Sequence, residues 1–396
     1  MATVIVSSDT AASYPDGGGH FWVFLQYIHA LRCAGCDVYW MEEFRPGCGP
    51  AEDRGGSRPA GDSAADQRAI ATFLERARGF GLEGRVLLYV TQPDGASREW
   101  IGVAAAEAEA AVRGADLLLN FHYAIAPDLL ACARRTALMD IDPGLLQLWM
   151  GTGQLSVPRH DRYFTTGETV GTPRALVPDC GVDWIYSPPP VCLDLWPVAS
   201  NPAHEAFTTV SGWWSGRWIK VVENGMEALH ENTKRAAFLP FAELPRHTSQ
   251  PLELALDLAD GDGDARHMLE QRGWRVRHAR DVARTPEMYR TYIQRSRGEW
   301  SAAKPSCMRF QNAWVSDRTL CYLASGKPVV VQDTGPSAFL PHDEGMFRFT
   351  TMAEAAAALE AVNADYERHC RAARALAETH FDAHNVVRRI LNAALP

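Results

Sequence analysis

Little in this chain points to a membrane or to a nucleic acid. No apolar run approaches the roughly eighteen residues needed to span a bilayer. The opening stretch, Thr3-Val-Ile-Val-Ser-Ser8, reads as a strand with no basic segment ahead of it. Neither a membrane span nor a signal peptide is expected, and the reading is cytoplasmic. Basic residues are outnumbered, with 39 Lys and Arg against 48 Asp and Glu for a net charge of −9. No nucleic-acid partner is expected, since such partners need a basic face that releases phosphate counterions. The nine cysteines are odd in number and sit mostly in apolar runs, as reduced, buried thiols do. Cys33-Ala-Gly-Cys36 has no second pair at metal spacing, so packing is expected there and neither a metal nor a cofactor is. The dinucleotide fingerprint is broken as well, because an opening at Gly17-x-Gly19 puts Trp22 where its third glycine belongs.

What is present is alternation. At 396 residues the chain is long enough for two domains, each burying its own core. Strand patterns at Thr3–Ser8, Val38–Met41, Val86–Val90, Asp116–Phe121, Thr136–Ile141 and Tyr163–Thr165 alternate with helical periods, one of them from about His20 to Cys33. That order predicts a parallel, doubly wound sheet. The proline-rich run from Ser187 to Pro202 predicts a boundary, dividing the chain into residues 1–200 and 201–396. A second series follows, with strands at Phe207–Val210, Leu252–Leu256, Trp274–Arg277 and Val329–Val331 and closing helices at Met352–Glu378 and Ala383–Ala394. Arg45 to Asp66, rich in Gly, Pro and small polar residues, reads as a mobile excursion or lid.

The most informative stretch is Lys304–Leu340. Ser316 and Asp317 start a helix that Gly326 and Pro328 close. Val329–Val331 is a short buried strand, and Asp333-Thr334-Gly335-Pro336 predicts a tight turn into another helix. Two helix N-termini near strand ends would suit a nucleotide diphosphate.

The helix, the Gly326-Lys-Pro-Val-Val330 strand and the glycine turn resemble the donor-binding half of GT-B glycosyltransferases, especially the retaining, family 4-like type. That type carries two glutamates on this helix, whose places here are Ala313 and Cys321. The chain thus resembles a divergent subgroup with a Trp314-x-Ser-Asp-Arg318 start. The resemblance implies two Rossmann-like domains facing a cleft, with the final helix crossing back onto the first. It implies metal-independent transfer of a sugar from a UDP- or GDP-linked donor to a small-molecule acceptor bound by the first domain. A nucleotide-sugar epimerase on the same fold and a non-catalytic nucleotide-sugar-binding partner protein are the alternatives, and the reading leaves room for a homodimer.

Candidate site residues follow from position. Gly18 and Gly19, between the first strand and a helix, can bring bare amides to the donor. Arg217 is the candidate cation against the leaving diphosphate, with Lys220, Lys234 and Arg235 competing for that role. Glu299, Ser316, Asp317, Arg318, Thr334 and Gly335 complete the donor set, with Trp300 able either to stack on a base or to pack in the core. Asp142 and His122, at strand ends, are the candidates for orienting or deprotonating the acceptor, which His20, Tyr123 and His160 would help to bind.

Overall fold

The computed structural model describes residues 1–46, 63–91, 97–199, 203–214, 218–223, 226–259 and 261–396. They form two compact units. The first comprises Met1–Thr166, Pro178–Ser187 and Ala383–Pro396, and the second Gly167–Val177 and Pro188–Asp382. The chain passes from one unit to the other after Thr166, Val177, Ser187 and Asp382, whereas the sequence reading divides it once, at residue 200. Most of the expected lid, residues 47–62, and also Arg217 lie outside the described residues.

The first unit is built on eight strands: β1 (Thr3–Ser8), β2 (Asp37–Glu43), β3 (Val86–Thr91), β4 (Arg98–Ile101), β5 (Leu117–Asn120), β6 (Thr136–Asp140), β7 (Arg162–Thr165) and β8 (Trp184–Tyr186). Their order is β4-β3-β2-β1-β5-β6-β7-β8, with β4 antiparallel to β3 and every other pairing parallel. Buried β1 and β5 carry continuous apolar runs, as strands covered on both faces do. Chain order reverses between β1 and β5. There the loops leaving the strand ends part and open a crevice.

The helix Ala383–Ala394 closes this unit by packing on the helix Gly18–Cys33. Val386, Val387 and Ile390, spaced at one and three residues, are fully buried. Arg162 Nε donates to the Ala393 carbonyl at 3.0 Å.

In the second unit, β9 (Phe207–Gly212) is followed by an antiparallel hairpin of β10 (Trp218–Glu223) and β11 (Met226–Glu231). Then come β12 (Leu252–Asp257), β13 (Arg275–His278), β14 (Gly298–Ser301), β15 (Val329–Gln332), β16 (Asp343–Glu344) and β17 (Met346–Phe349). The main sheet runs β13-β12-β9-β14-β15-β17-β16, parallel except for β16, and reverses between β9 and β14. Its core is aromatic: Trp300 is 1% exposed and lies 5.0 Å from Trp274 and 6.0 Å, stacked, from Phe349. The tryptophan considered for base stacking is therefore a core residue.

One expected helix is absent. After Asp333-Thr-Gly-Pro336 the chain runs irregularly to His342. Glu168 accepts from Ala338 N at 2.6 Å, and Ser337 Oγ accepts from Phe339 N and Leu340 N at 3.2 and 3.1 Å. Pro341 disfavours helical backbone at Leu340, so these donors are satisfied without a helix propagating. The helix N-termini in this stretch are those of Pro305–Phe310 and Asp317–Ala324, and none follows Gly335. No helix among the described residues is long and apolar enough to cross a membrane.

Candidate functional site

In the second unit a hollow beside β14, β15 and β17 has a lining that includes Lys234, Ser301, Ser316, Arg318, Thr334 and Arg348. Among the described residues its lining carries these three cationic side chains and no acidic one. Lys234 begins the helix Lys234–Phe238, placed by its N-cap Thr233, whose Oγ1 accepts from Ala236 N at 3.2 Å. Its Nζ donates to the Ala302 carbonyl, 2.9 Å away just beyond β14. Lys234 is 7% exposed, and burial, then Arg318 and Lys304, bring its ammonium down to about 7.

Arg318 is a clamp. Nε donates to Glu299 at 2.8 Å, one terminal nitrogen to the Val210 carbonyl at 2.9 Å and the other to Ser301 Oγ at 2.5 Å. The guanidinium thus pins the start of the helix Asp317–Ala324 to β9 and β14 together. Glu299, expected in the donor set, is fully buried beneath it, and its Oε2 has no partner among the described residues. Ser316 is the N-cap, its side chain accepting from Arg318 N at 3.3 Å, and burial raises the Asp317 carboxyl against the pull of Arg318.

Thr334 lines the hollow, and Gly335 follows it in the turn. Thr334 Oγ1 donates to the Trp314 carbonyl at 2.7 Å. Gly335 has φ +127°, and a Cβ there would lie 2.3 Å from the Gln311 carbonyl oxygen, so no other residue fits. Arg348 bonds both Asp333 and the Gly335 carbonyl, fixing the turn. Lys220, by contrast, sits on the hairpin paired with Glu227 at 2.5 Å and does not line the hollow. Arg235 lies 5.6 Å over the Trp214 ring, with Glu231 3.4 Å from its guanidinium.

The first unit has two polar clusters at strand ends. At the β1/β5 reversal, His122 is 2% exposed. Arg45 donates to its Nε2 at 2.8 Å, with Glu43 at 3.2 Å and Asp9 at 3.6 Å. Burial lowers the His122 pKa, Asp9 and Glu43 oppose, and Arg45 adds to the lowering. With Nε2 accepting from Arg45, the neutral ring carries its proton on Nδ1, and Nε2 can take a further proton once Arg45 turns away. At the end of β6, Tyr123 OH accepts from Ile141 N at 3.0 Å and Asp142 N at 3.2 Å, with the Asp140 and Asp142 carboxylates at 3.4 and 3.5 Å. Asp140 is fully buried, accepts from Gln147 and Thr165 at 2.8 Å each, and is raised by burial to about 7.

His160 is occupied within the protein. Its Nδ1 donates to the Pro158 carbonyl at 2.7 Å while Nε2 accepts from Asn120 at 3.0 Å, which leaves neither ring nitrogen for the acceptor role expected of it. His20 is exposed, its ring edge-on to Tyr14 at 4.7 Å. Gly18 and Gly19 form the first turn of their helix, which has no side-chain cap. Asp9, Arg45 and Arg348 were not singled out from the sequence. Asp9 directly follows β1, a positional signal that could have flagged it, whereas Arg348 gains its role only through β15–β17 pairing.

Glu42, near the end of β2, is a buried acid that bonds Ser8 and accepts from Ala12 N at 2.9 Å. Burial raises it to about 8. The folded state therefore holds a proton that the unfolded chain loses above its ordinary value near pH 4.3, so this group's contribution to stability falls as pH rises from about 4 to about 8. Asp140 acts with the same sign up to about 7. Glu42→Gln, which mimics the protonated acid, is expected to flatten the fall in stability between pH 5 and 8 by up to about 1.4 kcal/mol per pH unit. Urea unfolding across that range checks it, and parallel profiles for the two proteins would refute the assignment.

No family model and no curated protein matches the chain. Solved structures do. An alpha-glucosyltransferase in complex with UDP and a 13-mer DNA containing a central A:G mismatch is 10% identical, with TM-score 0.58 over 99% of both chains. Anabaena HepE in complex with UDP and glucose is 12% identical, with TM-score 0.55 over 98% of both. The sucrose-phosphate synthase of Thermosynechococcus elongatus is 12% identical, with TM-score 0.52 over 98% of both. With its two Rossmann-like units, each reversing strand order beside its first strand, the chain has the GT-B fold of these glycosyltransferases.

Proposed function

We propose that the chain is a glycosyltransferase that takes a sugar from a nucleotide diphosphate donor held in the second unit and passes it to a small-molecule acceptor held in the first. The observation that carries this reading is the hollow beside β14, β15 and β17, lined by Lys234, Arg318 and Arg348 and, among the described residues, by no acid. Glu299 and Asp333 pair with the two arginines. Lys234 Nζ donates to a carbonyl, which leaves its positive charge for a diphosphate. As the glycosidic bond breaks, the leaving diphosphate gains charge that this ammonium and the amides at the start of helix Asp317–Ala324 stabilise. The proposed chemistry needs no metal, since these groups supply the positive charge.

In the first unit, we assign His122 the task of accepting the acceptor's proton, and Tyr123 and Asp142 the task of orienting it. Retention of configuration enters only through the sequence resemblance at Gly326-Lys327-Pro328, and NMR of the product's anomeric proton decides it. A DNA acceptor is the other reading, since one neighbour is seen with DNA, but the net charge of −9 works against it.

Thermal unfolding with UDP, GDP, TDP and ADP tests the donor site. A ligand at a hundred times its Kd stabilises by about 2.7 kcal/mol, so at least one of the four is expected to raise the midpoint by several degrees. No shift with any of them at millimolar concentration would sink the reading.

A further inference from the structure

The wall of the hollow formed by Trp314, Thr334 and Leu340 is held by a strap from outside its own stretch of sequence. Residues 167–177 directly follow the first unit's β7 yet pack in the second unit. Glu168 spends both carboxylate oxygens on one loop: Oε2 accepts from Ser337 Oγ at 2.5 Å and Oε1 from Ala338 N at 2.6 Å. Thr169 reaches the facing loop, its N donating to the Asn312 carbonyl at 3.4 Å and its Oγ1 to the Gln311 carbonyl at 3.5 Å.

Both loops need holding. Gln311 and Ala313 have φ of +46° and +56°, left-handed backbone that costs a residue with a Cβ free energy and persists only where neighbours over-determine it. Ala313 N donates to the Thr334 carbonyl at 3.0 Å, so the strained segment and the turn at Gly335 lean on each other. The loop from Asp333 to Leu340 has no helix of its own to stiffen it. Ser337, oriented by Glu168, takes the Phe339 and Leu340 amides and so fixes Leu340 against the hollow.

We propose that Glu168 is a positioning residue for the donor: it does not touch the nucleotide but fixes the loop that shapes the nucleotide's pocket, so donor affinity depends on a side chain outside that pocket. This rests on the donor reading above. Two full-length variants test it by calorimetric titration with UDP, or whichever of the four nucleotides binds best, and by donor KM against kcat. Glu168→Ala removes both acceptors and is expected to raise the nucleotide Kd and donor KM about tenfold, with kcat at saturating donor within about twofold. Glu168→Gln keeps one acceptor oxygen but points an amide donor at the other partner, so an intermediate loss of about threefold is expected. If the alanine variant does not fold, the isosteric glutamine variant decides.

A graded loss of affinity, glutamate over glutamine over alanine, supports the proposal. A lowered thermal midpoint with unchanged Kd in the folded variants means a merely structural contact and overturns it. A wild-type chain that binds none of the four nucleotides overturns the donor reading itself and this proposal with it. Wild-type binding that the variants share in full overturns only the role of Glu168.

Discussion

Lys234→Met is expected to cut glycosyl transfer on the order of a hundredfold or more, the usual cost of losing one charge-stabilising contact to a leaving group. Nucleoside diphosphate binding weakens with it. Stability moves the other way. Lys234 is 7% exposed, and its Nζ donates to the Ala302 carbonyl. Replacing it with a neutral side chain of similar length removes a desolvation cost. With the Lys234 pKa lowered to about 7, the unfolded chain binds the extra proton between about pH 7 and its ordinary value near 10.4. The lysine's penalty is therefore full below pH 7 and fades as pH rises toward 10. The methionine variant should show its largest gain in melting temperature at or below neutral pH. An unimpaired rate would remove Lys234 from the chemistry, and a lowered midpoint at pH 7 would mean that the ammonium is better partnered than its surroundings imply.

His122→Ala carries the second large effect, with transfer to the acceptor expected to fall by about 10²–10⁴, the range that one positioned base contributes. Nucleotide affinity should stay intact, and slow hydrolysis of the donor to free sugar should persist. His122 is preferred to Asp142 as the base because its lowered pKa leaves a neutral ring at pH 7, flanked by Asp9 and Glu43, with Nε2 open to a proton once Arg45 turns away. Asp142 sits with Tyr123 and the buried Asp140 at the end of β6, better suited to orient than to deprotonate. Full transfer by the His122 variant at low acceptor concentration would dispose of the assignment. If Asp142→Asn loses transfer and His122→Ala does not, the two exchange roles.

Much of the architecture was legible because local signals agreed with the global fold. The β-branched run Val329–Val331 forms a strand, and Ser316 caps the helix that Gly326, at φ +68°, ends. What could not be read depended on partners far along the chain. Arg318 looks like a phosphate ligand in the sequence and becomes a clamp because Val210, Glu299 and Ser301 converge on it from two strands. The helix expected after Gly335 is absent because a carboxylate from residue 168 takes the Ala338 amide. His160 and Trp300 are residue types that serve ligands and cores equally, and only the neighbours in space tell which. Lys234, a competitor for its role in the sequence, is set apart from Lys220 by the Thr233 cap that starts its helix and by the β10–β11 pairing that holds Lys220, neither of which a spacing rule encodes.

The helix Ala383–Ala394 has a consequence for biosynthesis. It completes the first unit, yet the ribosome makes it after every residue of the second unit, which ends at Asp382. The second sheet has all its strands before the first has its closing helix. The half that emerges first must therefore wait, with the apolar face of helix Gly18–Cys33 open to chaperones, while the half that emerges later is free to finish ahead of it.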